Sequence, residues 1–313
     1  MFLMERYKNW MTYTFDGIPD SAKSNRRSFL DLHFNVPDDI VPMSYYDALK
    51  LNATIMRDSF SEPFDVLLSG GIDSEVMVRT FKDLGITHNT FIFRYEDNLN
   101  IRDINSSIQI CEALNIPYKI IDFNLSKFYE TEAADIFSKT LVPDVASLSR
   151  IKWLDYLDNV PVFGEGEPYW KRDLGGDYTK KSPWSFHFSE RQFFLSLNSH
   201  YINRPIIGEW YLYTPYITMN YHQEELIQNL LDDKIPGKES TLSSRLPLHR
   251  NFWPDIKEKS KLTGYEGPTG EPLKNPPKFF IDFYLENKLS DLTNLNFTYS
   301  IEDMNTIFLK RNT

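Results

Sequence analysis

The sequence is nearly without cysteine. Cys111 is the only one among 313 residues, so no intrachain disulfide, CxxC zinc site or thiol relay can form within it. A reducing cytoplasm is the expected setting. No apolar run approaches the roughly 18 residues that a membrane-spanning helix needs. The opening MFLMERYKNW has no apolar stretch behind a basic one, so no signal peptide is expected. Positive charge is in the minority: 34 Lys and Arg face 44 Asp and Glu, a formal net charge of −10. That argues against a broad nucleic-acid footprint, though not against a local basic patch. Repeats and low-complexity tracts are absent, and so is the Walker A pattern GxxxxGK[ST].

What is present begins with an ordinary globular composition, 41% apolar and 25% charged. The stretch Phe64 to Met77, FDVLLSGGIDSEVM, organises the chain. Phe64–Leu68 is a short apolar run that reads as a buried strand. Ser69-Gly70-Gly71 breaks it. From about Asp73 a helical pattern puts Val76, Met77, Thr80, Phe81 and Leu84 on one face, and Gly85 stops it. A helix start leaves N–H groups unpaired and carries partial positive charge. Two glycines allow close backbone approach, and Ser69 and Ser74 add hydroxyls. The unit is a cradle for phosphate oxygens. Asp73 beside such a nest calls for a cation, and Mg²⁺ is the expected one.

Further along, alternation continues. Ser44 to Phe60 reads as a helix capped by Ser44, with Asp47 in the capping-box position. Asn89–Tyr95 and Pro117–Phe123 read as strands, with a helix over Asn100–Leu114 whose inner face holds Cys111 as a small core residue. Phe128–Thr140 and Ser149–Tyr156 read as helices, and Val160–Phe163 as a fourth strand. This pattern predicts an α/β fold with a parallel sheet, right-handed crossovers and ligands at the carboxyl ends of strands. The fourth strand ends in Gly164-Glu165-Gly166-Glu167, a second glycine loop, with two carboxylates. Tyr169–Ser185 reads as a long loop or lid. Ser189–Leu197, His222–Leu231, Phe279–Leu285 and Ile301–Leu309 read as helices. The expected division is an N-terminal arm over 1–43, a nucleotide domain over 44–267, and a mostly helical C-terminal extension over 268–313.

The string SGGIDS resembles the PP-loop signature SGGxDS of the ATP pyrophosphatases. The resemblance implies ATP cleaved between its α and β phosphates, with Mg²⁺, to give an adenylated substrate. Within that superfamily, further features resemble the synthetase domain of asparagine synthetase and the β-lactam synthetases. VFGEGE at Val162–Glu167 resembles SGEGADE, and TPYI at Thr214–Ile217 resembles VPFLD. GKESTLSSR at Gly237–Arg245, then Trp253–Gly267, resembles a KxxLR helix and the segment after it.

The resemblance implies that Ser69, Gly70, Gly71, Asp73 and Ser74 hold pyrophosphate and metal. Leu67, Phe93, Phe163 and Gly164 would line the adenine pocket, with Arg94 on the nucleotide. Glu165 and Lys238 would act on the substrate and the phosphates, with Lys257 and Lys261 as alternatives. The family's second metal ligand falls on Pro168 here, so the expected ligands are Asp73 and Glu167. Position 2 is Phe where the family's glutaminase domain has its cysteine, so ammonia from glutamine is not expected. Three functions stay open: an adenylating ligase forming an amide from a small-molecule or peptide carboxylate and an amine; a tRNA- or nucleobase-modifying enzyme of a kind that needs no cysteine; and a nucleotide sensor without turnover. A membrane partner is not expected, and nucleic acid is not favoured.

Overall fold

The computed structural model describes residues 10–15, 30–38, 40–140, 145–172, 184–189, 204–232, 241–257 and 296–308. An N-terminal antiparallel pair, β1 (Met11–Phe15) and β2 (Leu30–Phe34), precedes helix α1 (Tyr45–Ser59). The Ser44 hydroxyl accepts from the Asp47 N–H at 3.1 Å and donates to the Asp47 carboxylate at 2.8 Å, so α1 starts where the capping pattern puts it. Then come β3 (Phe64–Leu67), α2 (Ile72–Asp83), β4 (His88–Tyr95), α3 (Ile101–Leu114) and β5 (Tyr118–Phe123). Three shorter helices follow, α4 (Leu125–Thr131), α5 (Ala133–Thr140) and α6 (Val145–Trp153), before β6 (Val160–Phe163).

The main sheet runs β5-β4-β3-β6, and every pairing is parallel. The chain winds outward from β3 through β4 to β5, then crosses back to lay β6 on the other side of β3. The order therefore reverses between β3 and β6. In open α/β sheets the crevice outside the carboxyl ends at such a reversal is where ligands bind. Ile207 extends the β6 edge, accepting from the Phe163 N–H and donating to the Pro161 carbonyl, both at 2.9 Å.

Side-chain alternation splits the core between the two faces. Phe64, Val66, Ile92, Val160 and Val162 pack into the larger cluster, with residues of α1 and α2. Leu67, Phe91, Phe93, Ile121 and Phe163 face the other way, against Phe128, Leu148, Ile151 and Leu154 of the segment between β5 and β6. Both faces are covered, as a parallel sheet requires.

Helix α2 departs from its sequence pattern. Every residue from Ile72 to Phe81 is buried, not one stripe. Its charges are paired: Arg79 donates to buried Glu75 at 2.8 and 2.9 Å and forks onto the exposed Asp255 at 2.7 and 3.1 Å. Trp253 Nε1 donates to Asp83 at 3.0 Å. The segment after α9 (Thr241–Arg250) thus docks along α2, making it a central helix buried all round.

The stretch expected as a long loop or lid, Tyr169–Ser185, contains β7 (Trp170–Arg172) and the start of β8 (Trp184–Ser189), paired antiparallel. A C-terminal strand, β9 (Asn296–Tyr299), pairs with β8 and leads into α10 (Ile301–Phe308). Ser189 closes a strand instead of opening a helix; the rest of the helix expected over Ser189–Leu197 lies outside the described residues, as does that over Phe279–Leu285. The His222–Leu231 expectation resolves into α7 (Pro215–Gln223) and α8 (Glu225–Leu231). In the N-terminal arm, Trp10 is buried and its Nε1 donates to the Leu212 carbonyl at 2.8 Å. Among the described residues no helix is long and apolar enough to cross a membrane.

Asp65 secures the amino end of β3. Fully buried, it accepts from the N–H groups of Asp158 (3.0 Å) and Asn159 (2.8 Å) and from the side chains of Asn89 and Asn159. It therefore ties β4 and the entry to β6 to the central strand. Asp65→Ala would leave these donors unpaired and should lower stability by about 2–4 kcal/mol. Urea unfolding is the check, with Asn89→Ala costing less because it removes a single bond.

Candidate functional site

The site lies where β3 and β6 end side by side. Gly70 has φ +73°, and a Cβ there would sit 2.4 Å from the Asp103 carbonyl oxygen. Only glycine fits both the left-handed backbone and that approach. From α3, the Ser106 hydroxyl donates to the Gly70 carbonyl at 2.8 Å and the Ser107 hydroxyl to the Leu68 carbonyl at 3.1 Å. The loop's carbonyls are thereby held toward α3.

Within the loop, Ser69 and Ser74 hydroxyls lie 3.1 Å apart, and the Ser74 hydroxyl donates to the Gly71 carbonyl at 3.1 Å. The first bond of α2 runs from the Glu75 N–H to the Gly71 carbonyl. The N–H groups of Ile72, Asp73 and Ser74 thus have no carbonyl of their own helix to meet. Two serine hydroxyls and a helix start thus come together at the end of β3, in the order the sequence places them.

The second glycine loop rides on this helix start. A Cβ on Gly164 would come within 2.8 Å of Ser74 Cα and 3.0 Å of Ser74 N. Gly164 is therefore a contact glycine: its missing side chain lets β6 end against α2. That contact carries Glu165 and Glu167 to the cradle's edge. Glu165 pairs with Arg150 of α6 at 2.6 Å, both side chains about a quarter exposed (27% and 25%). Its carbonyl accepts from the Tyr211 N–H at 3.1 Å, while the Tyr211 hydroxyl donates to the Asp73 carbonyl at 3.0 Å.

The residue that sequence reasoning passed over is Arg245. It ends the quoted GKESTLSSR string, where Lys238 drew the functional reading. In α9 it is buried, and its Nη1 lies 2.6 Å from Asp73 Oδ1 and 3.3 Å from Glu167 Oε1. Burial opposes its charge, but Asp73 first and Glu167 next outweigh burial and hold its pKa above its ordinary value. One signal was available: two carboxylates at one phosphate site need a cation, and an arginine stands in the helix that follows. Its guanidinium also lies 6.0 Å from the Tyr169 ring centre, and Tyr169 stacks on His187 of β8.

One turn on, His249 is fully buried, and neither ring nitrogen has a hydrogen-bond partner. Burial, then Arg245's charge, push its pKa down to about 3, so it stays neutral. Tyr45 stacks on it, its hydroxyl also buried and without a partner. Burial foremost raises that hydroxyl's pKa.

The other expected residues are placed as follows. Leu67 and Phe163 are register partners at the strand ends, buried in one cluster. Phe93 is buried in that cluster and stacks on Trp153 at 4.5 Å. Arg94 forks onto Asp122, its cross-strand partner, at 2.6 and 2.9 Å, with 43% of its side chain exposed. Its guanidinium forms an exposed surface pair there. Lys257 is exposed; Lys238 and Lys261 lie outside the described residues.

Asp73 and Glu167 fit a divalent cation in donor type and in convergence on one point. Among the described residues no three His, Cys, Asp or Glu gather closely enough to hold a metal alone. A magnesium ion here would be completed by phosphate oxygens and water, its usual mode of binding.

Two glycines with positive φ separate geometry from function. Gly85 (φ +64°) ends α2 with open space where a Cβ would go. Gly85→Ala should cost about 1 kcal/mol, the left-handed strain alone. Gly70→Ala adds the clash with Asp103 and should cost roughly 2–4 kcal/mol. Urea unfolding measures both, and only Gly70→Ala should also weaken ATP binding at a temperature where both variants are folded.

Comparison with known proteins adds a family. A family model described as "Queuosine biosynthesis protein QueC" matches residues 65–148, from β3 into α6. A curated relative, the 7-cyano-7-deazaguanine synthase of Methanocaldococcus jannaschii, is 39% identical over 61 residues, 20% of this chain and 26% of its own length. The match thus spans about a quarter of that relative. Among solved structures, the NMN synthetase of Francisella tularensis is 18% identical, covering 70% of this chain and 98% of that one, with a TM-score of 0.30. The NH3-dependent NAD synthetase of Campylobacter jejuni is 14% identical over 69% of this chain and 98% of its own, also with a TM-score of 0.30. A chain that sets the SGGIDS loop between a parallel strand and a buried helix start, and matches a PP-loop family along that unit, belongs to the PP-loop ATP pyrophosphatase superfamily.

Proposed function

We propose that this chain is an ATP-dependent enzyme that replaces an oxygen by nitrogen on a nucleobase of the deazapurine type, through an adenylated intermediate. The observation that carries the chemistry is the cradle at the β3–β6 reversal: a helix start, the Ser69 and Ser74 hydroxyls, and two carboxylates converging beside it. What favours a nucleobase over the amino-acid or peptide carboxylate suggested by asparagine synthetase is the match of residues 65–148 to the queuosine-biosynthesis family and the short relative named for a cyano-deazaguanine product.

A nitrile stands at the oxidation level of a carboxylic acid. Ammonia and two dehydrations therefore connect the two without a redox cofactor. In the first, a carboxylate oxygen of the base attacks the α-phosphorus of ATP. The new P–O bond forms as the α–β bridge breaks, and pyrophosphate leaves into the Ser69–Ser74 loop. Ammonia then adds to the activated carbonyl carbon and loses a proton. AMP departs with the former carboxylate oxygen, leaving an amide. A second ATP activates the amide oxygen in the same way; AMP departs with that oxygen and the nitrogen loses both its protons, leaving the nitrile.

The helix start and the loop hydroxyls stabilise charge gathering on the leaving pyrophosphate. Mg²⁺ held by Asp73 and Glu167 would supply further charge neutralisation at the phosphates. Glu165, paired with Arg150 beside the cradle, would hold the incoming ammonia. Holding base, ATP and ammonia in one crevice removes the entropy cost of their encounter.

The test uses ATP labelled in its α-phosphate, with Mg²⁺ and ammonia, and offers the carboxylic acid of deazaguanine alongside aspartate and other amino-acid carboxylates. Labelled AMP should form with the deazaguanine acid alone, and the base should gain an amide or nitrile by mass. Asp73→Asn, which keeps the shape of the side chain, should lower AMP formation by at least about a hundredfold. AMP formed with an amino acid instead would restore the amide-ligase reading, and labelled ADP would refute the adenylation chemistry.

A further inference from the structure

The two carboxylates placed to hold a divalent cation are already joined by a cation of the chain's own. One nitrogen, Arg245 Nη1, lies within 3.3 Å of both Asp73 and Glu167. We propose that Arg245 is a displaceable placeholder for the metal: it keeps Asp73 and Glu167 aligned before nucleotide binds, and it gives them up to the divalent cation of metal–ATP, turning its guanidinium onto phosphate oxygens. This rests on the reading that the site takes ATP with a divalent cation, and not on the nature of the acceptor base.

Mutual exclusion follows from size and charge. Mg²⁺ draws oxygen ligands to about 2.0–2.1 Å. A guanidinium nitrogen that bridges the same two oxygens stands where that ion would. Both are positive, and both would be buried, where like charges repel most strongly. The carboxylates cannot serve both at once. Without any cation they would repel each other beside α2, so the placeholder has a reason to exist in the nucleotide-free chain.

Release gives the guanidinium somewhere to go. Phosphate oxygens in the cradle match its planar fork, which a lysine would not. The Tyr169 ring lies 6.0 Å from it, and in the same region the Tyr45 hydroxyl and the ring nitrogens of His249, a helical turn along α9, have no hydrogen-bond partner. Because Tyr169 also stacks on His187, displacement of Arg245 would be felt by the β7–β8–β9 sheet.

The test is binding of Mn²⁺ alone, read by its paramagnetic resonance signal, with no turnover involved. Wild type should bind Mn²⁺ weakly without nucleotide. Arg245→Met, apolar and of similar length, should bind it at least about tenfold more tightly, and adding Asp73→Asn should abolish the gain. A folded Arg245→Met with no gain overturns the proposal. So does a wild type that binds Mn²⁺ without nucleotide as tightly as the variant.

Should Arg245→Met not fold, the wild-type melting temperature decides. It should rise with Mn²⁺ only when a non-hydrolysable ATP analogue is also present; a rise with Mn²⁺ alone that Asp73→Asn removes is the contrary result. Failure of the nucleobase reading would appear in the AMP assay and leave these measurements untouched.

Discussion

The structure turns on one electrostatic constraint. Two carboxylates, buried Asp73 and half-buried Glu167, converge beside a helix start, and they need a positive charge between them. Arg245 supplies it with 5% of its surface exposed. A buried ion pair adds little net stability, but removing one partner is costly, often about 3–5 kcal/mol. The triad therefore acts less as glue than as a rule about position. The start of α2, the end of β6 and helix α9 must arrive together, or a charge is left stranded.

Much of the surrounding design serves that meeting. Gly164 lets β6 end against Ser74, which brings Glu167 within reach. Asp65 fixes β6 beside β3 from the opposite end. Arg79, buried beside Glu75, reaches the exposed Asp255 and fastens the segment after α9 to α2. Ser106 and Ser107 turn loop carbonyls toward α3. This leaves the α2 N–H groups free of helical partners at the strand ends, the one place in the sheet where the winding direction reverses.

The parallel core was legible in the sequence because its signals are local. β3, the glycine loop, α2, β4, α3, β5 and β6 fall within a residue or two of their expected limits, since each ends in a glycine, a cap or a change of period. The all-round burial of α2 was not legible. Glu75 and Arg79 look like solvated charges until Asp255, far along the chain, is seen to complete their pairing. The β7–β8–β9 sheet was hidden for the same reason. Trp184–Ser189, WSFHFS, carries the alternation of a strand, but its partner β9 lies near the C-terminus, and the Gly- and Lys-rich stretch before it suggested a lid. Among site residues, the cradle was readable from type and spacing, whereas Arg245 becomes visible only once Asp73 and Glu167 are known to converge. Arg94, at a strand end, had equal claim to a ligand or to solvent; its pairing with the cross-strand neighbour Asp122 was not legible.

An adenylating site must do two things at once: draw negative charge off the α-phosphorus toward the leaving pyrophosphate, and keep a carboxylate close enough to attack. Water does the first poorly, because its dipoles must reorganise as charge moves. The N–H donors of a helix start do not. The most direct test of this account follows the oxygen. With the carboxylic acid of deazaguanine carrying heavy oxygen, ATP, Mg²⁺ and ammonia, the AMP released should contain one heavy oxygen taken from the acid. AMP formed without it would mean that water, and not the substrate, attacks the α-phosphorus, and the adenylation account would be wrong.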